Sequence, residues 1–135
     1  MTITVLDSSI LGRCFSDSRM RAIFEERNFV VLCVATEVAL AKVQARLGII
    51  PQDAASGIKA AASSFDFDLN ELGRQTEIVG YPILPLVEQL AARAGEAGRY
   101  LHWGATTQDI MDTATVQQIR AALDLIEERL GAVCV

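Results

Sequence analysis

The sequence predicts an all-α protein, and three observations carry that prediction. Hydrophobic residues fill 51% of the 135 positions but aromatic ones only 6%, with alanine and leucine abundant, a balance that suits packed helices. No hairpin signal, internal repeat or low-complexity stretch interrupts the chain. Near the C-terminus, Val116, Ile119, Leu123, Ile126, Leu130 and Val133 recur at spacings of 3, 4, 3, 4, 3, the seam of a helix packed nearly parallel to others.

The first 15 or so residues, through Ser8-Ser9 and Gly12, read as irregular. From about Ser18 to Leu47 there is no glycine or proline, and the pattern predicts one long, mostly buried helix. Ser16, Asp17 or Ser18 can cap it, and Gly48 followed by Pro51 can end it. Phe29 to Ala35 alone could be a buried strand; its continuity with Glu37-Val-Ala-Leu-Ala-Lys-Val-Gln-Ala-Arg46 favours helix. Pro51 opens an alanine-rich helix to about Ser64, in the first-turn position that proline tolerates. Phe65-Asp-Phe-Asp68 is a break, followed by a short helix from about Leu69 to Val79. Gly80-Tyr-Pro-Ile-Leu-Pro85 punctuates the chain before a helix from about Leu84 to Ala94, and Gly95 and Gly98 bound a loop running into His102. The last helix starts near Gln108 and reaches ~40 Å at ~1.5 Å per residue. Its apolar pattern is still running at Cys134-Val135, which predicts a longer protein or partner chains, because an uncovered seam of that length is a liability.

Totals exclude several classes. A net charge of −5 argues against nucleic acid as a partner, although a local site on an acidic protein can still be positive. Cys14, Cys33 and Cys134 are odd in number and far apart, with no Cys-x-x-Cys or Cys/His cluster, so neither a disulfide framework nor a zinc site is indicated. No ligand cluster or phosphate loop points to a metal or nucleotide cofactor, and the expectation is none. The N-terminus lacks a signal-peptide pattern, and the longest apolar run, Phe29 to Ala35, is too short to span a bilayer. The chain reads as cytoplasmic, with no membrane partner.

Chemistry concentrates between Arg99 and Thr115. This stretch holds the only histidine, His102, and the only tryptophan, Trp103, followed by Gly104 and then Thr106-Thr-Gln-Asp109 at a helix mouth. Small hydroxyl and amide side chains there, with unpaired backbone N–H groups and the positive end of the helix dipole, form a cradle for an anionic oxygen. Thr106-x-x-Asp109 also reads as a capping box, with Thr106 as cap and Asp109 reaching back. The two readings are compatible, since one threonine can cap while its neighbour binds. His102 has a structural reading too, as a packed imidazole bonded to a backbone carbonyl.

The segment His102-Trp-Gly-Ala-Thr-Thr-Gln-Asp-Ile-Met-Asp-Thr-Ala114 resembles the first signature of the fumarase/aspartase superfamily, and within it most resembles the bacterial 3-carboxy-cis,cis-muconate cycloisomerases. Met20-Arg-Ala-Ile-Phe24, Ala41-Lys-Val-Gln-Ala-Arg-Leu-Gly-Ile-Ile-Pro51, Pro85-Leu-Val87 and Gln117-Gln-Ile-Arg-Ala-Ala-Leu-Asp-Leu-Ile-Glu127 read like the same family in the same order. The resemblance implies an N-terminal helical domain with the signature loop over 1–105 and the start of a central long-helix bundle over 106–135. It further implies a homotetramer with active sites shared between subunits, and a small polycarboxylate substrate. Members of the family add or remove a group across a double bond beside a carboxylate, through a carbanion whose charge spreads into that carboxylate. Carried over by position, Thr106 and Thr107 would hydrogen-bond a substrate carboxylate, with Gln108 and Asp109 beside them and His102 lining the pocket for binding rather than proton transfer.

Two departures narrow the substrate. Cys14-Phe15-Ser16 stands where adenylosuccinate lyases carry an Arg-Tyr-Ser segment for the nucleotide phosphate, and Tyr81 stands where they carry a histidine, 21 residues before His102. Both disfavour a purine substrate. The serine-bearing mobile loop that takes the proton in relatives is absent from these 135 residues, so no catalytic residue is assigned and the chain alone is expected to be an incomplete catalyst. A carbon–nitrogen lyase, adenylosuccinate lyase-like, is the alternative within the superfamily. A non-catalytic helical assembly module is the alternative outside enzymes.

Overall fold

The computed structural model describes residues 4–64 and 66–133, and among them every regular element is helical. A 3₁₀ turn at Val5–Asp7 and the short α1 (Gly12–Phe15) occupy the stretch expected to be irregular. Asp17 is the residue that caps α2 (Ser18–Ile23): its carboxylate accepts from the N–H groups of Arg19 at 2.8 Å and Met20 at 3.1 Å.

The single helix expected from Ser18 to Leu47 is two. α2 ends at Ile23, and α3 (Glu26–Arg46) begins after an extended residue at Glu25. In a continuous helix the Ile23 carbonyl would accept the N–H four residues on. Here it accepts the side-chain amides of Asn28 and Gln118 instead, each at 2.7 Å. These bonds satisfy the carbonyl freed at the break, so the interruption needs no glycine or proline.

α3 is the central helix and packs most extensively on α4 (Gln52–Ser63) and α7 (Thr107–Val133). It buries Val30, Cys33, Val34, Glu37, Ala41 and Ala45, and the two alanines let α4 approach through its own Ala54, Ile58 and Ala61. At 21 residues with a mean hydropathy of 1.4 in its most apolar window, α3 is long and apolar enough to cross a membrane, which the short run Phe29 to Ala35 had understated. That property also belongs to a packed core helix. Gly48 follows its end as expected, and the N–H of Ile49 reaches back 2.9 Å to the Gln44 carbonyl, closing the last turn. Pro51 takes the cap position just before α4 rather than its first turn.

Asp68 caps α5 (Leu69–Val79) through the N–H groups of Asn70 and Glu71, and Gly80 closes it. Of the expected break at Phe65-Asp-Phe-Asp68, Phe65 lies outside the described residues, and 66–68 carry no regular structure. α6 (Ile83–Ala94) holds Pro85 in its first turn and buries Ile83, Leu86 and Leu90. The expected loop at Gly95 is instead a 3₁₀ helix, Gly95–Tyr100, wedged against α4 and α6. Gly98 is required there, because a Cβ would come within 2.8 Å of the Ala91 Cα.

α7 packs on this chain through a second face that the seam pattern does not include. It buries Ile110, Ala114, Gln118, Ala122 and Leu125. The seam read from the sequence, Val116 to Val133, lies on the opposite side, its six residues 45% to 81% exposed. At the far end of α7, Glu128 pairs with Arg19 at 2.6 Å and Arg129 with Asp17 at 2.8 Å, both at the surface, where water and salt screen such pairs. Cys14 is exposed and Cys33 buried, both as free thiols; Cys134 lies outside the described residues.

Candidate functional site

The signature segment leaves the 3₁₀ helix at the buried Leu101 and turns sharply at His102 and Gly104, both with left-handed backbone, φ 57° and 69°. Glycine takes that conformation without strain, whereas histidine does so at a cost that surrounding contacts must meet. The N–H of Ala105 donates to the His102 carbonyl at 3.3 Å and closes the turn.

α3 meets that cost from two positions, seven residues and so two helical turns apart on one face. His102 Nδ1 lies 2.5 Å from Glu37 Oε1, and the Gln44 amide donates to the Trp103 carbonyl at 2.7 Å. Glu37 is 1% exposed, and its second oxygen, Oε2, has no hydrogen-bond partner among the described residues. Burial pushes the Glu37 carboxyl above its ordinary range, with contact to His102 pulling the other way. One turn earlier, burial and the nearby Glu37 push the Cys33 thiol up to about 12, so it is a packed, protonated group and not a nucleophile. Trp103 is 52% exposed, and its ring stands 6.3 Å from that of Tyr100, tilted 51° to it.

The start of α7 is half of the expected capping box. Asp109 Oδ2 accepts the Thr106 N–H at 2.9 Å, but the Thr106 hydroxyl makes no reciprocal bond among the described residues. The Asp109 carboxylate is therefore engaged in the cap. The Gln108 amide donates to the Asp112 carboxylate along the helix. The hydroxyls of Thr106 and Thr107, and the N–H groups of Thr107 and Gln108, are what remains available to an anion here, since the Asp109 N–H donates to the Thr106 carbonyl at 3.1 Å. Thr106 is exposed and Thr107 half-buried, so this mouth is open on one side.

The five residues singled out from the sequence thus lie along one turn and the helix start that follows it, but they do different things. His102 faces α3, Asp109 and Gln108 are engaged with their own helix, and the two threonine hydroxyls are unengaged among the described residues. Glu37 and Gln44 were missed. The available signal was a lone carboxylate inside a stretch, Val34 to Ala41, that is apolar but for Thr36.

No family model matches this chain. A crystal structure of fumarate lyase from Mesorhizobium sp. BNC1 superposes with a TM-score of 0.86 and 66% identity, over 88% of this chain and 28% of that one. The β-carboxy-cis,cis-muconate cycloisomerase of Acinetobacter calcoaceticus sp. ADP1 superposes with a TM-score of 0.87 and 38% identity, over 91% of this chain and 30% of that one. Trans-aconitate decarboxylase 1 of Mycosarcoma maydis is 45% identical over 124 residues, 91% of this chain and 25% of that protein. The chain thus spans between a quarter and a third of the length of these relatives, and the match falls on their N-terminal part. In sequence and in fold, over nearly all of its length, the chain belongs to the fumarase/aspartase superfamily, whose cycloisomerases and lyases it matches.

Proposed function

We propose that this chain provides the carboxylate-binding part of a cofactor-independent cycloisomerase or lyase that acts on a small unsaturated polycarboxylate. The observation that carries this reading is the pair of unengaged hydroxyls on Thr106 and Thr107, set at the N-terminus of a 27-residue helix beside a histidine anchored from α3. The names of the three relatives support it, because fumarate, trans-aconitate and carboxymuconate are all alkenes flanked by carboxylates.

The chemistry follows from that geometry. Removing the proton from the carbon alpha to a carboxylate leaves its electron pair there, spread into the carboxylate oxygens, and that pair forms the double bond as the group on the beta carbon departs with its own bonding electrons. Fixed hydroxyl and N–H donors then bind the transition state more strongly than the ground state. Thr106, Thr107 and His102 would hold that carboxylate, while Gln108 and Asp109 shape the turn that presents it. Neutral hydroxyls have no useful pKa near neutrality, so proton transfer falls to groups outside these 135 residues. The open side of the site and the exposed α7 seam fit an assembly in which other helices complete the pocket, a tetramer with shared sites. In that reading 1–105 is the N-terminal domain, 106–135 begins the bundle, and the enzyme works in the cytoplasm.

The test is turnover by a form with the full length of its relatives, offered 3-carboxy-cis,cis-muconate, trans-aconitate and fumarate with no added metal. Conversion of at least one, undiminished by a chelator, is expected. Binding of all three without turnover would favour a non-catalytic assembly module.

A further inference from the structure

The Glu37–His102 contact does more than pin a loop. We propose that Glu37 is a positioning residue that shares a proton with His102 Nδ1, and so keeps Nε2 of the imidazole an N–H donor rather than a lone-pair base. The proposal deepens the carboxylate-binding reading, on which it rests for the anion that the Nε2–H would meet.

Three positions in the pair can hold protons: the Glu37 carboxylate and the two ring nitrogens. With one proton, on Nδ1, the carboxylate is ionised, Nε2 is a bare lone pair and the pair is negative. With two, the pair is neutral, one proton lies between Nδ1 and Oε1, and the other must sit on Nε2.

Surroundings decide between these states. Glu37 is 1% exposed, its Oε2 receives no hydrogen bond, and among the described residues no arginine or lysine pairs with it. An ionised carboxylate stripped of water and left with one unsatisfied oxygen is costly. Cys33, one turn away, keeps its thiol proton and supplies no compensating charge. Burial favours the protonated form of Glu37, in the same direction. The neutral pair therefore prevails.

The nitrogen beside Glu37 faces the interior, while 19% of the His102 side chain stays exposed. Nε2 makes no hydrogen bond among the described residues. The Gln44 bond to the Trp103 carbonyl and the left-handed backbone at His102 fix the ring's attachment, so its orientation is set from both ends. A donor held this way suits a carboxylate; a lone pair there would repel it.

Nitrogen NMR of the full 135-residue chain tests this directly, because its single histidine gives unambiguous ring signals. Near neutral pH, Nε2 should resonate in the protonated range, with a strongly downfield proton between Nδ1 and Glu37. An unprotonated Nε2, the Nδ1–H tautomer of a pair with ionised Glu37, would overturn the proposal. Glu37→Gln cannot share an acid proton, so the downfield signal should vanish and both ring nitrogens should shift. Unchanged ring signals in that folded variant would equally overturn it, and if the variant does not fold, the wild-type spectrum decides alone. The readout needs no ligand, so a failure of the carboxylate-binding reading in turnover assays leaves the protonation state of the Glu37–His102 pair untouched.

Discussion

Asp109 reaches back one turn to accept the backbone N–H of Thr106 at 2.9 Å, while the hydroxyl of Thr106 returns no bond among the described residues. The two halves of a capping box have thus come apart: the carboxylate secures the helix start and the hydroxyl stays free. This split assigns stability to one residue and leaves the other for binding.

Asp109→Ala should accordingly lower stability by ~1 kcal/mol, the usual cost of losing a helix-start acceptor together with a favourable charge at the positive end of the dipole. Thr106→Val, which removes only the unengaged hydroxyl, should cost clearly less. Urea unfolding of the two variants checks the order. Equal losses would mean that the Thr106 hydroxyl caps after all.

Thr107→Val preserves shape and removes a donor. In a form with the full length of its relatives, it should reduce turnover about a hundredfold, corresponding to roughly 3 kcal/mol of lost transition-state stabilisation. The apparent pKa values of the pH–rate profile should stay where they are, since no titrating group is touched. Near-normal turnover would remove the anion cradle from the mechanism.

Leu123 lies in the middle of the outward α7 seam and is 59% exposed. If that seam is covered by other helices in the assembly, Leu123→Asp should disrupt association while leaving the inner face of α7 intact, because a charge buried in a helix seam goes unpaired. Sedimentation of wild type and variant reads this out. A wild-type chain that sediments as a monomer, with low dye binding to apolar surface, would count against a covered seam.

Cys33 sets a pH dependence at the alkaline end. Burial and the nearby Glu37 push its thiol from the ordinary 9.0 up to about 12, so the native state holds the proton more tightly. The resulting stabilisation is complete below 9.0 and is lost as pH rises from there towards 12, with a slope of at most ~1.4 kcal/mol per pH unit. Cys33→Ala should be less stable below pH 9.0, because it leaves a cavity, but should lack that slope, so its deficit against wild type narrows as pH rises. Iodoacetamide at mildly alkaline pH should label the exposed Cys14 and spare Cys33 in the native chain.

By itself the sequence determined what depends on neighbours along the chain. The break at Phe65-Asp-Phe-Asp68 set off α5 from Leu69 to Val79, Gly48 marked the end of α3, and Thr106-x-x-Asp109 located the start of α7. The signature segment also stood out, because its chemistry is contiguous. Tertiary structure decided what depends on residues far apart. The break after Ile23 rests partly on Gln118, 95 positions away, whose amide takes over a carbonyl that local sequence would have left to the helix. The inward face of α7 is built of alanines and a glutamine as much as of leucine and isoleucine, because close approach to α3 needs small side chains. Its hydrophobic signal is therefore weaker than that of the outer seam, and periodicity alone does not reveal it. Glu37 and His102 are separated by 65 positions, and no spacing rule joins them. Only burial of α3 brings a carboxylate without water to an imidazole, and that desolvation gives the pair its chemistry.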